Sequence, residues 1–171
     1  MRHAPLRIFP GIEVDILADG SLDLANETLA QMDIVIASVH TLFNQPLEEM
    51  TARVLRAIEN PYLKVLGHPT GRKLLAREAY QIDMPRIFRA AAAAGVAMEH
   101  NSNPNRLDLC DRDLRMAKEA GCKIVINTDS HHTSELDNIR YGVRQLRRAW
   151  LTKEDVLNTL TAKELLKVLR P

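Results

Sequence analysis

At 171 residues the chain falls in the range of a single domain and is long enough to bury a sizeable core. Hydrophobic residues at 46% and charged residues at 26% give the balance of a globular protein, which excludes a disordered or fibrous chain. A formal charge of +1 supplies no global field toward nucleic acid or membrane, and aromatic residues at 4% argue against a multi-base stacking platform.

Along the chain a short apolar run, a polar turn and an amphipathic stretch recur in order. The apolar runs at 7–12, 34–37, 63–66, 96–98 and 123–126 are each short enough for a strand buried on both faces, so five parallel strands are expected. Helical patterns at 25–31, 47–59, 85–94 and 111–120 separate them. The last two run into Gly95 and Gly121, where a left-handed cap is wanted. Beyond the fifth strand the pattern is mostly helical, with Thr152 and Thr161 as N-caps and Glu164 completing a capping box with Thr161. Regular βα alternation predicts an α/β fold with a parallel sheet or a barrel.

Cys110 and Cys122 stand in no metal-ligand or redox spacing and fit a reducing compartment. No apolar stretch approaches the roughly 20 residues that span a bilayer. The N-terminus carries no signal-peptide core, so a cytoplasmic protein without membrane contact is expected. Arg140, Arg144, Arg147 and Arg148 fall at helical spacing, as either a solvated face with salt bridges or a local phosphate contact.

Residues that bind metals or protons follow each strand: Glu13, His40, His68, Glu99 with His100 and Asn101, and Asp129 with His131. From Glu13 through His40, His68 and Glu99 to Asp129 the steps are 27, 28, 31 and 30 residues. In a βα architecture that spacing sets them all on one rim, at the carboxyl ends of adjacent strands, where such folds carry their active sites. Imidazole suits zinc, iron and related ions, whereas carboxylates suit harder ions and can bridge two. A mixed set therefore points to more than one metal and to phosphoester hydrolysis, in which paired ions generate hydroxide and clamp the attacking and leaving oxygens. His132 is expected to support the site from outside it or to face solvent. Arg72 and Arg106 sit in loops near this rim, where either can contact phosphate or make a surface salt bridge. No glycine-rich phosphate loop, Gly-x-Ser-x-Gly elbow or dinucleotide fingerprint occurs, which argues against nucleotide-dependent or serine-nucleophile chemistry.

The segments Gly-Ile-Glu-Val-Asp (11–15), Ala-Ser-Val-His (37–40), Leu-Gly-His-Pro-Thr-Gly-Arg (66–72), Asn-Ser-Asn-Pro-Asn-Arg-Leu-Asp (101–108) and Asn-Thr-Asp-Ser-His (127–131) resemble the PHP domain, the polymerase and histidinol phosphatase superfamily. Arg-Ala-Ile-Glu-Asn-Pro (56–61), Gly-His-Pro-Thr-Gly-Arg and Arg-Tyr-Gly-Val (140–143) favour the C-terminal PHP domain of bacterial family X DNA polymerases over histidinol phosphatases. The resemblance runs from about residue 7 to residue 170. It implies a distorted seven-stranded βα barrel with helices outside, up to three divalent ions (manganese, zinc or iron), and 3′–5′ exonuclease or related processing of DNA 3′ ends. Carried over by motif, Glu13 bridges two ions, His40 and His68 hold one of them, Asp129 holds the other, and His131 belongs to a third site.

The family opens with a His-x-His strand and further ligands that this sequence does not contain. The chain is therefore expected to be a single domain, residues 1–171, forming the C-terminal portion of a PHP metallophosphoesterase domain: a partial barrel of about five strands. Unpaired strand edges and an uncovered apolar face should follow. So should weak metal binding and little activity unless an upstream polypeptide supplies the missing strands. Two other readings stay open: a histidinol-phosphatase-like small-molecule phosphatase, and an interaction module whose site has decayed.

Overall fold

The computed structural model describes residues 7–169, so the first six residues, read above as free of a signal-peptide core, lie outside it. One five-stranded sheet runs in sequence order: β1 (Gly11–Asp15), β2 (Ile34–Ser38), β3 (Val65–Leu66), β4 (Ala97–Asn101) and β5 (Ile124–Asn127). Every neighbouring pair is parallel, with Glu13 beside Ile36, Ile36 beside Val65, Val65 beside Ala97, and Glu99 beside Val125. A helix lies in each crossover: α1 (Asn26–Leu29), α2 (Leu47–Ile58), α3 (Met84–Ala94) and α4 (Asp111–Glu119). After β5 come α5 (Ile139–Arg148) and α6 (Ala162–Leu169), joined by short 3-10 turns. This is an α/β fold whose sequential parallel strands form the arc of a partial βα barrel.

Register partners in a parallel sheet point the same way, so the sheet divides cleanly into two faces. Val14, Val35, Ala37, Leu66, Met98 and Ile124 form one face and join the main core with Met50, Val54, Ile87, Phe88 and Leu114 from the crossover helices. In α2 the buried Met50, Val54, Ala57 and Ile58 recur at helical spacing, which makes the apolar stripe that seats it. At the end of α3, Gly95 takes the left-handed cap (φ 71°) expected of it, and Asp83 caps its start by accepting from the Arg86 N–H at 3.1 Å.

The second face carries Glu13, Ile36, Val65, Ala97, Glu99, Val125 and Asn127, by the same register. Its amino-terminal end is apolar. There Val65, Ala97 and Leu157 pack with Ile36, Val125, Leu160 and Leu165. The uncovered apolar face expected from the sequence is thus covered by the 157–165 segment, which leaves a cavity of about 150 Å³ among Ile34, Ile36, Val65, Val125, Leu157 and Leu165. The β5 edge is closed too. The Asn158 amide donates to the Ile126 carbonyl at 2.9 Å and accepts from the Ile126 N–H at 2.8 Å, as a neighbouring strand would.

Strand boundaries moved: the third strand, expected at 63–66, keeps only Val65–Leu66, and the first and fourth also shifted. The first strand, expected at 7–12, runs instead over Gly11–Asp15, because Pro10 has no N–H for a ladder and gives its carbonyl to the Asp33 N–H at 2.8 Å. The fourth extends through Glu99 and Asn101, since an interior face with polar partners accepts polar side chains that sequence reading assigned to a loop. Among the described residues no helix is long and apolar enough to cross a membrane.

Candidate metal centre

The polar end of the second face is built on β1. Strand alternation places Glu13 and Asp15 on one side, and Ser38 and His40 likewise, two residues apart on and beyond β2. Glu13 Oε1 accepts from the Ser38 hydroxyl at 2.6 Å. Around the same oxygen stand His68 Nε2 at 3.3 Å and His40 Nε2 at 3.7 Å. His40 Nδ1 lies 2.6 Å from Asp15 Oδ1, so the carboxylate fixes the ring and leaves Nε2 facing Glu13. The hydrogen bond with His68 holds the Glu13 carboxyl down to about 2, against the upward pull of burial and with help from Ser38.

Space for this cluster comes from Gly67. A Cβ there would run into the Ser38 hydroxyl and would stand 3.0 Å from Ile36 Cγ2. His68 follows with a left-handed backbone (φ 25°), a conformation a side-chain-bearing residue adopts only when its surroundings impose it. The restraint is Glu99. Its buried carboxylate accepts from the His68 N–H at 2.6 Å and from Asn127 Nδ2 at 2.7 Å. Burial pushes the Glu99 carboxyl up, while the neighbouring His68 and the Asn127 bond pull it down.

One ligand atom each from Glu13, His40 and His68 lies within 4.8 Å of the others. Donors around a single ion with bonds of about 2.1 Å stand roughly 3.4 Å apart, close to the separations from Glu13 Oε1 seen here. Buried His68 also keeps Nδ1 without a hydrogen-bond partner among the described residues. Two imidazoles and a carboxylate, oriented from behind by Asp15, Ser38 and Glu99 and roomed by Gly67, fit a divalent transition ion.

The β5 side of the rim is looser. Asp129 (φ 52°) accepts from Asn101 Nδ2 at 3.0 Å and shares a cavity of about 270 Å³ with Glu13, His68 and Glu99. His131 is exposed, with Nδ1 at 2.9 Å from the Asp129 carbonyl, and lines an adjoining pocket of about 390 Å³ with Lys73, Asn105 and Arg106. The structure therefore gathers Glu13, His40 and His68 into one cluster, sets Asp129 in the same cavity, and leaves His131 on the outer rim. His132 caps the 133–138 turn, its ring accepting from the Ser134 N–H at 3.2 Å.

The two arginines differ. Arg72 donates to the carbonyls of Arg106 and Leu107, which ties two rim loops together. Arg106 Nε stands 3.6 Å from Asp129 Oδ2, and its Nη1 is buried with no partner among the described residues. On α5, Arg148 pairs with Asp111 at 2.6 Å, a surface salt bridge. Sequence reading missed Asp15, Ser38, Gly67 and Asn127, and placed Glu99 on the rim as a metal- or proton-binding residue without its part in holding the His68 backbone. The two-residue spacings Glu13/Asp15 and Ser38/His40 were the available signal for two of them.

No protein-family model matches the chain. Among characterised or named proteins it is 42% identical over 158 residues to the DNA polymerase/3'-5' exonuclease PolX of Bacillus subtilis, across 92% of this chain and 28% of that protein. It is 32% identical over 168 residues to a probable phosphatase of Thermoanaerobacter sp. (strain X514), across 92% of this chain and 66% of the relative. A probable phosphatase of Clostridium acetobutylicum is 30% identical over 173 residues, with 93% and 68% covered. The chain thus spans about two thirds of these phosphatases and under a third of the polymerase.

Proposed function

Because the chain belongs to the PHP (polymerase and histidinol phosphatase) family, we propose that it is the C-terminal portion of a metal-dependent phosphoesterase domain that acts on DNA 3′ ends. The observation that carries this reading is the convergence within 4.8 Å of donor atoms from Glu13, inside β1, and from His40 and His68, just beyond β2 and β3. These three residues would hold one divalent ion, with Glu13 shared toward Asp129 and with His131 serving a further site. Such an ion supplies Lewis acidity at the phosphoryl oxygen and a lowered pKa for water.

The protein's own groups do the rest. Asp15 holds the His40 ring through Nδ1, so that its Nε2 lone pair stays directed at the centre. Glu99 fixes the turn at His68 through the backbone N–H. Arg106, beside Asp129, offers a guanidinium to a phosphoryl oxygen, while Arg72 keeps the loop that carries Arg106 in place. The 3′-exonuclease assignment is supported by the PolX relative, and that of a phosphoester substrate by the named phosphatases. A polypeptide adding strands beside β1 is part of the same proposal, because the matched relatives are longer than the chain.

Calorimetric titration with manganese and zinc, paired with nucleotide release from a 3′-labelled primer, tests the reading. Both assays are run on the chain alone and with the polypeptide encoded upstream. Expected are metal binding that His68→Ala removes and metal-dependent release of 3′ nucleotides. Phosphate release from histidinol phosphate with the primer left intact would move the assignment to a small-molecule phosphatase. Failure to bind either metal in both samples would overturn it.

A further inference from the structure

Next to the centre opens a cleft of about 810 Å³, between residues 42–46 and residues 77–80. Its two walls are the loops that begin at His40 and His68. In its lining Phe43 meets both Arg77 and Tyr80. The Arg77 guanidinium carbon lies 3.8 Å over the Phe43 ring centroid. The Phe43 ring is stacked on Tyr80 at 6.3 Å and 18°.

The stack is anchored to the loop that follows His68. Arg77 Nε donates to the Gly71 carbonyl at 2.8 Å, and the Tyr80 hydroxyl donates to the Pro69 carbonyl at 2.7 Å. Gly71 (φ 64°) lets the chain pass the Tyr80 ring, which a Cβ would strike at 2.5 Å. The other wall is held by buried Arg53, which donates to the Thr41 carbonyl at 3.0 Å and to Gln45 Oε1 at 2.9 Å. Arg77 itself makes no ion pair among the described residues, and its terminal amino groups meet no acceptor there.

A half-buried guanidinium centred over an aromatic ring, with no carboxylate in ion-pair range among the described residues although Glu78 also lines the cleft, is a surface for something planar that arrives with negative charge. A guanidinium is weakly hydrated and stacks on π-faces, and it also pairs with phosphate. A nucleobase with its attached phosphate supplies both features, whereas an aliphatic phosphoester supplies only the second. Aromatic residues at 4% of the chain fit one such layer while leaving no platform for successive bases.

We propose that this cleft is the base subsite of the phosphoester substrate, in which the terminal nucleobase stacks on the face of Arg77 turned away from Phe43. The inference rests on the phosphoesterase reading of the neighbouring centre, and it adds the place where the terminal base is held.

The test separates the two. A primer ending in 2-aminopurine, whose emission falls on stacking, is titrated in EDTA against a primer ending in a tetrahydrofuran abasic residue, detected by anisotropy. Proteins compared are the full chain, Arg77→Lys and Phe43→Leu, each checked by thermal melting. Expected are quenching by the unaltered chain and tighter binding of the base-bearing primer. Either variant should lower the base-to-abasic affinity ratio about tenfold, the order of one lost stacking layer. Arg77→Lys keeps the charge and loses the plane, so a purely electrostatic role would leave that ratio unchanged. Equal affinity for the two primers, or variants that weaken both alike, would overturn the inference. If no phosphoester is hydrolysed yet the ratio behaves as expected, the base subsite stands and the hydrolase reading falls.

Discussion

The two faces of the sheet are built from the same five strands and obey opposite rules. The helix-covered face buries Met98, Ile124, Phe88 and Leu114 with almost no exposure, and among its described strand residues the buried polar side chain is His100. The other face concentrates Glu13, Glu99, Asn101, Asn127 and Asp129 at its carboxyl end, each held by a hydrogen bond. One face is where the fold keeps its stability; the other is where it accepts strain and buried charge to orient a few atoms.

If the faces are as separate as this, changes on one should leave the other's property intact. The largest effect is expected from Phe88→Ala, which removes a fully buried ring. About 3–5 kcal/mol of unfolding free energy should be lost by urea denaturation, with metal affinity of the folded fraction unaltered. A fall in affinity of the same size as the fall in stability would erase the distinction.

His100 gives a pH test of the covered face. Burial holds its imidazole down to about 4 from the ordinary 6.5, while Nδ1 stays 2.8 Å from the Leu109 carbonyl. The unfolded chain therefore takes up the proton first as pH falls. Its contribution is complete above about 6.5 and is lost as pH drops toward about 4, by up to about 3 kcal/mol. Urea midpoints between those limits should fall less in His100→Gln than in the unaltered protein; parallel curves would show that other groups govern the acid limb.

On the polar face, Glu13→Gln removes the oxygen around which Ser38, His40 and His68 gather. Zinc affinity should drop by about 100-fold or more, exceeding what loss of an outer partner costs, with the metal-free melting temperature nearly unchanged. Asp15→Asn is the smallest of the set. It weakens the hold on His40 Nδ1, and about tenfold in zinc affinity is expected by calorimetry. An Asp15→Asn protein that binds zinc like the original would mean that His40 is oriented by the β2 backbone alone.

Much of the architecture was legible in periodicity. The number of strands, the order of helices, the glycine cap at Gly95 and the Thr161/Glu164 capping box follow from patterns that act within a few residues. The ligand-type residues Glu13, His40 and His68 were legible for a related reason, since His40 and His68 follow their strands, Glu13 lies within β1, and parallel strands bring such positions to one rim. What holds them was not. Ser38 reaches Glu13 across 25 positions, and Glu99 reaches the His68 backbone across 31. No local pattern encodes such pairings.

The sequence by itself determined the βα alternation and the roster of side chains that arrive at one rim, because both depend on strand parity and on helix period. Tertiary structure decided which members of that roster meet. Register put Glu13 beside Ile36 and near Gly67, where the missing Cβ admits the Ser38 hydroxyl that bonds the carboxylate. It also laid the 157–165 segment over the apolar end of the inner face, and stacked Arg77 on Phe43 beside the centre. These are contacts between residues far apart in the chain, fixed by packing and by space rather than by any preference of the residues themselves.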